Sequence, residues 1–122
     1  SLYIWASGDR IKQALINFIT NGLESMEQKM KEEPCAVPPE LRVRAWRSGD
    51  RVNISVRDEG TGMTPEEIEL CSEPFYTTKA KGTGLGMALA KQFINDNDGK
   101  MTVRSEKGGF TEIVMQFQEV GE

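Results

Sequence analysis

The stretch from Arg10 to about Lys31 limits this chain more than any other. At about 100° per residue, Ile11, Leu15, Phe18, Ile19, Leu23, Met26 and Met30 fall on one broad arc. Gln13, Asn17, Asn21, Glu24 and Gln28 form a narrow polar stripe nearly opposite. A long helix with one apolar face needs a second layer to cover it. Three prolines in KEEPCAVPPE, residues 31–40, stop the helix. The period then changes to two. Leu41, Val43 and Ala45 alternate with Arg42, Arg44 and Trp46. After a Ser48-Gly49-Asp50 turn, Val52, Ile54 and Val56 alternate with Arg51, Asn53, Ser55 and Arg57. That pattern predicts a hairpin with one buried face.

The remaining segments fit around this pair. LYIWA, residues 2–6, predicts a short strand, followed by a helix N-cap at Ser7 or Asp9. Thr64-Pro65-Glu66-Glu67 predicts a short helix to about Cys71, with Thr64 as N-cap and Glu67 completing a capping box. Another helix is expected near Gly84 to Asn97, with Leu85, Ala88, Leu89, Gln92 and Phe93 at core spacing. Met101 and Val103, then Ile113, Met115 and Phe117, mark two strands joined across Lys107-Gly108-Gly109. The order predicts a two-layer α/β (α+β) sandwich. Its five-stranded sheet would be mixed and mainly antiparallel, with about three helices on one face. The long helix and the glycine-led helix would lie side by side with a groove between them.

A chain of 122 residues buries one core, so a single domain over 1–122 is expected. The net charge of −4 argues against a nucleic-acid binder. No apolar run approaches the roughly 18 residues that cross a bilayer, and no signal peptide is visible. Cys35 and Cys71 lie far apart, and a reduced intracellular pair is the expectation. The chain contains no histidine. Ser-His-Asp and Cys-His nucleophilic sites are thereby excluded, and chemistry on a histidine would need a different chain or a further segment.

Three constellations carry chemistry. Asn17 and Asn21 are one turn apart on one helix face, where asparagine costs helix propensity. They form either a solvated face or a pair of amide oxygens suited to a hard cation such as Mg2+. Asp58-x-Gly60-x-Gly62 follows a strand directly. It is either an ordinary turn or a carboxylate placed to accept from an amino group such as adenine N6, with glycines that let a ligand approach the backbone. Gly82-Thr83-Gly84-Leu85-Gly86 opens a helix, where free N–H groups favour an anion. It lacks the Walker GxxxxGK[ST] pattern, and it follows a loop instead of the strand a dinucleotide fingerprint needs. Cation, base and phosphate sites in one small domain together point to ATP·Mg2+. Residues 72–83 then read as a flap over the nucleotide.

The chain resembles the Bergerat-type ATP-binding domains of gyrase, MutL and the sensor histidine kinases. ALINFITNGLESM is similar to their N box and DEGTGM to their first glycine box. EPFYTTK resembles the F box of the histidine kinases, and GTGLGMALAKQFI their second glycine box. NGLESM and YTTK look like the nitrogen-regulation and sporulation-type kinases. The resemblance implies a catalytic domain that transfers the γ-phosphoryl group of ATP to a histidine on a separate dimerisation domain. That domain would lie N-terminal to Ser1, with a response regulator downstream. The kinase domain would be cytoplasmic, without nucleic-acid or membrane contact of its own.

By the same resemblance, Asn21 is the main Mg2+ ligand and Asn17 its partner. Asp58 takes the adenine amino group, with Gly60 and Gly62 shaping the pocket. Phe75 anchors the lid and Lys79 approaches the phosphates. Gly82, Thr83, Gly84 and Gly86 bring backbone to them, with the N–H groups of Leu85 and Met87. The gyrase-like ATPases carry a glutamate base where this chain has Asn17, which cannot accept a proton at neutral pH. This favours a kinase over the alternatives within the fold, a self-contained ATPase or an anti-sigma-factor-like serine kinase. Many sensor kinases place a phosphate-contacting lysine at the position of Glu24. Here that contact shifts to Lys79.

Overall fold

The computed structural model describes residues 8–34, 37–74, 76 and 85–119. Helix α1 (Gly8–Glu32) is followed by strands β1 (Leu41–Ser48) and β2 (Arg51–Asp58). Helices α2 (Pro65–Leu70) and α3 (Gly86–Asp96) come next, then β3 (Lys100–Glu106) and β4 (Phe110–Gln118). The strands form one sheet in the order β1-β2-β4-β3. Every described pairing is antiparallel. The α+β class stands, with four strands and three helices among the described residues. The fifth strand expected at residues 2–6 lies outside the described residues.

Register explains which face is buried. Val52, Ile54 and Val56 of β2 lie opposite Phe117, Met115 and Ile113 of β4, and Met101 and Val103 of β3 continue those rows. On this face pack Ala14 and Phe18 from α1 and Ala90 and Ile94 from α3. Ile94, Met115 and Phe117 are fully buried. Burying each such side chain contributes roughly 1.5–3 kcal/mol. Phe93 tilts against Phe117 with ring centroids 6.3 Å apart.

The innermost line of α1 is Ala14, Phe18, Gly22 and Met26. Phe18 and Met26 belong to the expected arc, and Ile11, Leu15 and Ile19 pack beside them, but Leu23 is 51% exposed. Ala14 and Gly22 enter the inner line because α1 lies close against the sheet: a Cβ on Gly22 would be 2.8 Å from Leu41 Cδ1 on β1 and 3.1 Å from Asp58 Cβ on β2. Val43 and Ala45, expected on a buried face, are exposed. They sit on the edge strand β1, while α1 packs mainly over β2. Leu89, expected in the core, is also exposed, because α3 turns Ala90 and Ile94 inward instead.

Element ends follow local chemistry. α1 begins at Gly8, so Asp9 lies in its first turn and is not the cap. Thr64 caps α2 as expected: its hydroxyl accepts from Glu67 N–H at 3.2 Å and Glu67 Oε1 accepts from Thr64 N–H at 3.0 Å. Gly49 takes a positive φ in the β1–β2 turn, as that sharp reversal favours. No described helix is long and apolar enough to cross a membrane.

Candidate functional site

Asp58 ends β2, facing the helices, and is buried. Its Oδ1 accepts from Gly60 N–H at 2.9 Å. Burial pushes its carboxyl up to about 6, against the opposing pull of the Gly60 hydrogen bond and the Lys29 charge. A buried carboxylate of this kind is an acceptor held away from water. Two glycines make room around it. A Cβ on Gly22 would lie 3.2 Å from Asp58 Oδ2, and one on Gly60 would lie 2.7 Å from Oδ1 and 2.2 Å from Ser25 Oγ. Gly62 has φ +69°, and its Cβ would meet the Glu106 carbonyl oxygen at 1.9 Å.

The loop after Asp58 is tied on three sides. Thr61 N–H donates to Ser25 Oγ at 2.9 Å. Thr61 O accepts from Gly108 N–H at 2.6 Å. Met63 N–H donates to Ser105 Oγ at 2.8 Å, and that hydroxyl donates to Phe110 O at 2.6 Å. Lys29 Nζ donates to Gly108 O at 3.0 Å, joining the end of α1 to the β3–β4 turn. The carboxylate's surroundings are therefore fixed by α1 on one side and a hairpin on the other.

Along α1 towards its N-terminus, the polar stripe meets the start of α3. A Cβ on Gly86 would lie 2.3 Å from Asn17 Oδ1. Asn17 is half-buried, and its Nδ2 is buried without a hydrogen-bond partner. Leu85, at the N-cap of α3, supplies no side-chain cap. The first N–H groups of an eleven-residue helix are thus left for something other than a side-chain cap. A cavity of about 230 Å3 lies in the groove, walled by Gln13, Asn17, Gly86 and Phe93 among others.

The structure thus brings Asn17 and Gly86 into contact, with Asn21 one turn further along α1 towards Gly22 and Asp58. Leu85 and Met87 flank Gly86. Phe75, Lys79, Gly82, Thr83 and Gly84 lie outside the described residues, as does most of the expected flap. Cys71 is a free, half-buried thiol, while Cys35 is outside the described residues. Sequence reasoning missed Gly22, Ser25, Lys29 and Ser105. Ser25 did carry a signal, since it lies four residues after Asn21 and so continues the Asn17–Asn21 line.

The model of the histidine kinase-, DNA gyrase B- and HSP90-like ATPases matches residues 6–121. This chain belongs to that ATPase family. Sporulation kinase C of Bacillus subtilis is 33% identical to it over 112 residues, covering 90% of this chain and 24% of that protein. Sensor histidine kinase ZraS of Salmonella typhimurium is 36% identical over 106 residues, covering 86% and 21%. The chain therefore spans less than a quarter of either relative. Among solved structures, the catalytic domain of histidine kinase ThkA superposes with a TM-score of 0.75 at 26% identity, covering 93% of this chain and 69% of that one. Full-length ShkA in complex with AMPPNP gives 0.79 at 25% identity, covering 100% and 24%. An ATPase-family fold accounts for a buried carboxylate, a glycine-shaped loop and a helix start that Leu85 does not cap with its side chain.

Proposed function

We propose that this domain binds ATP·Mg2+ and passes the γ-phosphoryl group to a histidine on a separate helical dimerisation domain, feeding a response regulator in two-component signalling. The observation that carries the reading is Asn17, an amide pressed against the start of α3 where a hydrolytic site would need a base. An amide orients and ligates but takes no proton, so water would not be activated there. Phosphoryl transfer relies on positioning and charge stabilisation, which such a site supplies. The chain has no histidine, so the acceptor must be brought to it.

In this reading Asp58 accepts from the adenine amino group, and Gly60 and Gly62 admit the ring. Asn21 and Asn17 offer oxygens to Mg2+. Among the described residues no three His, Cys, Asp or Glu side chains cluster to cage a metal. Phosphate oxygens and waters would complete the coordination, as Mg2+ prefers. The N–H groups of Leu85, Gly86 and Met87 face the phosphates, joined by Lys79 and by the backbone of Gly82, Thr83 and Gly84. Phe75 anchors the lid over residues 72–83. Leu2 to Ala6 would supply a fifth strand. The domain works in the cytoplasm, without nucleic-acid or membrane contact through this site.

The test is transfer from radiolabelled ATP to a separately supplied histidine-bearing helical domain. The expected product is acid-labile phosphate on that partner and none on this chain. Acid-stable phosphoserine on a partner would point to a serine kinase instead. Steady hydrolysis abolished by Asn21→Ala would point to a self-contained ATPase.

A further inference from the structure

The sheet face turned away from α1 and α3 carries a charge opposite to that of the chain. Register places Arg42, Arg57, Glu112 and Arg104 in one row across all four strands. Arg44, Arg51 and Lys100 stand on the same face. The strands thus present six cations there (Arg42, Arg44, Arg51, Arg57, Lys100, Arg104) against two carboxylates, Glu106 and Glu112. This is a surplus of four positive charges on a chain whose net charge is −4.

The surplus is only partly neutralised by neighbouring carboxylates. Arg42 and Arg57 are direct cross-strand partners, an arrangement that costs stability when like charges face each other. Arg42 pairs with Glu40, Arg51 with Asp50 and Arg104 with Glu112. Among the described residues, Arg44 and Arg57 form no ion pair. Arg57 lies over the Phe110 ring, 4.4 Å from its centroid, and Arg44 lies 5.2 Å from that of Trp46. Stacking holds each guanidinium plane and leaves N–H edges for a ligand. Such forks match carboxylates two hydrogen bonds at a time.

We propose that this outer sheet face is a docking surface for an acidic protein surface, with Arg44 and Arg57 as its principal contacts. The charge pattern selects this partner over the two other polyanions. A nucleic acid would stack bases on Trp46 and Phe110, but the arginines already occupy those rings. A uniformly anionic lipid plane would press against Glu106, an exposed carboxylate on the same face with no ion pair among the described residues. A protein can place a cation or hydroxyl opposite that one position. The proposal stands apart from the nucleotide reading.

The test is titration of this chain with short poly-L-glutamate by calorimetry, at low and at raised salt. We expect salt-sensitive binding that falls roughly tenfold in Arg44→Gln/Arg57→Gln. Lys12→Gln/Lys31→Gln makes the same change in net charge on α1 and should bind as the parent does. Thermal unfolding checks that each variant is folded, and Arg44→Gln alone replaces the double variant if that one is not. No binding by the parent overturns the proposal, as does equal loss in both variants. Tighter binding to phosphatidylserine vesicles or to a single-stranded oligonucleotide than to polyglutamate overturns it too.

Discussion

Asn17 and Gly86 touch across the groove between α1 and α3: the Cβ that Gly86 lacks would lie 2.3 Å from Asn17 Oδ1 and 3.0 Å from Nδ2. Nothing larger than glycine fits unless the amide rotates. Alanine is otherwise a better helix residue than glycine by roughly 0.8–1.0 kcal/mol. Gly86→Ala should therefore keep the fold while moving the Asn17 amide, and ATP affinity should fall roughly tenfold, as for loss of one good polar contact. Since both substitutions act on one amide, Gly86→Ala and Asn17→Ala should be sub-additive in calorimetric titrations. Simple addition of the two losses would show that the contact is incidental.

Gly62 and Gly108 both have positive φ, yet they should respond very differently to alanine. At Gly108 a Cβ meets nothing within 4 Å, so only backbone strain remains, about 1–2 kcal/mol. At Gly62 the same strain is joined by a backbone oxygen, Glu106 O, 1.9 Å from the new atom. The hairpin cannot yield easily, because Gly108 N–H is bound to Thr61 O. Gly62→Ala should lose roughly 4 kcal/mol or more, at the far end of single-substitution effects. Urea unfolding compares the two, and similar losses would refute the steric argument.

What could be read from the sequence was chemistry between near neighbours or residues ill-suited to their element. The capping box at Thr64 and Glu67 spans three residues, and its two partners are visible in TPEE. Asn17 and Asn21 stand out because asparagine has no local reason to occupy a helix interior. Asp58 stands out because it ends an alternating strand just before two glycines. By contrast, Ser25 binds Thr61 across 36 residues, Ser105 binds Met63 across 42, and Lys29 binds Gly108 across 79. No local pattern encodes those separations. Within α1 the expected arc holds except at Leu23, and the arc omits Ala14 and Gly22 for a related reason: they are buried through their smallness, which hydrophobic periodicity does not register.

The α2 cap offers a clean local test. Thr64→Ala removes the acceptor of Glu67 N–H and should cost about 1 kcal/mol at neutral pH. Glu67 contributes in the opposite direction of the ring of bonds, and its carboxyl is held below the usual range by the Thr64 N–H, with Lys107 adding to the effect. A depressed carboxyl stabilises the fold above its unfolded pKa, and that contribution is lost as pH falls through the folded value. The penalty of Glu67→Gln should therefore be visible at neutral pH and vanish in acid. A penalty that persists at low pH would mean that Glu67 acts through packing instead.

Asp58 should set folding and ligand binding against each other. Its carboxyl is raised by burial to about 6. Since the folded value exceeds the unfolded one, ionised Asp58 destabilises the ligand-free fold above pH 6, and that cost is relieved as pH falls from about 6 towards 4. That cost is at most a few kcal/mol at neutral pH. Asp58→Asn keeps an oxygen for Gly60 N–H and removes the charge. It should raise stability in urea unfolding at pH 7.5 by at most a few kcal/mol, with the gain shrinking towards pH 4. The same variant presents an amide whose orientation is held by Gly60, and it should lose ATP affinity in calorimetry at neutral pH. In the parent, affinity should fall as pH drops through 6, because the neutral acid is the poorer acceptor for an amino group. A variant that is neither more stable nor weaker in binding would remove Asp58 from the site.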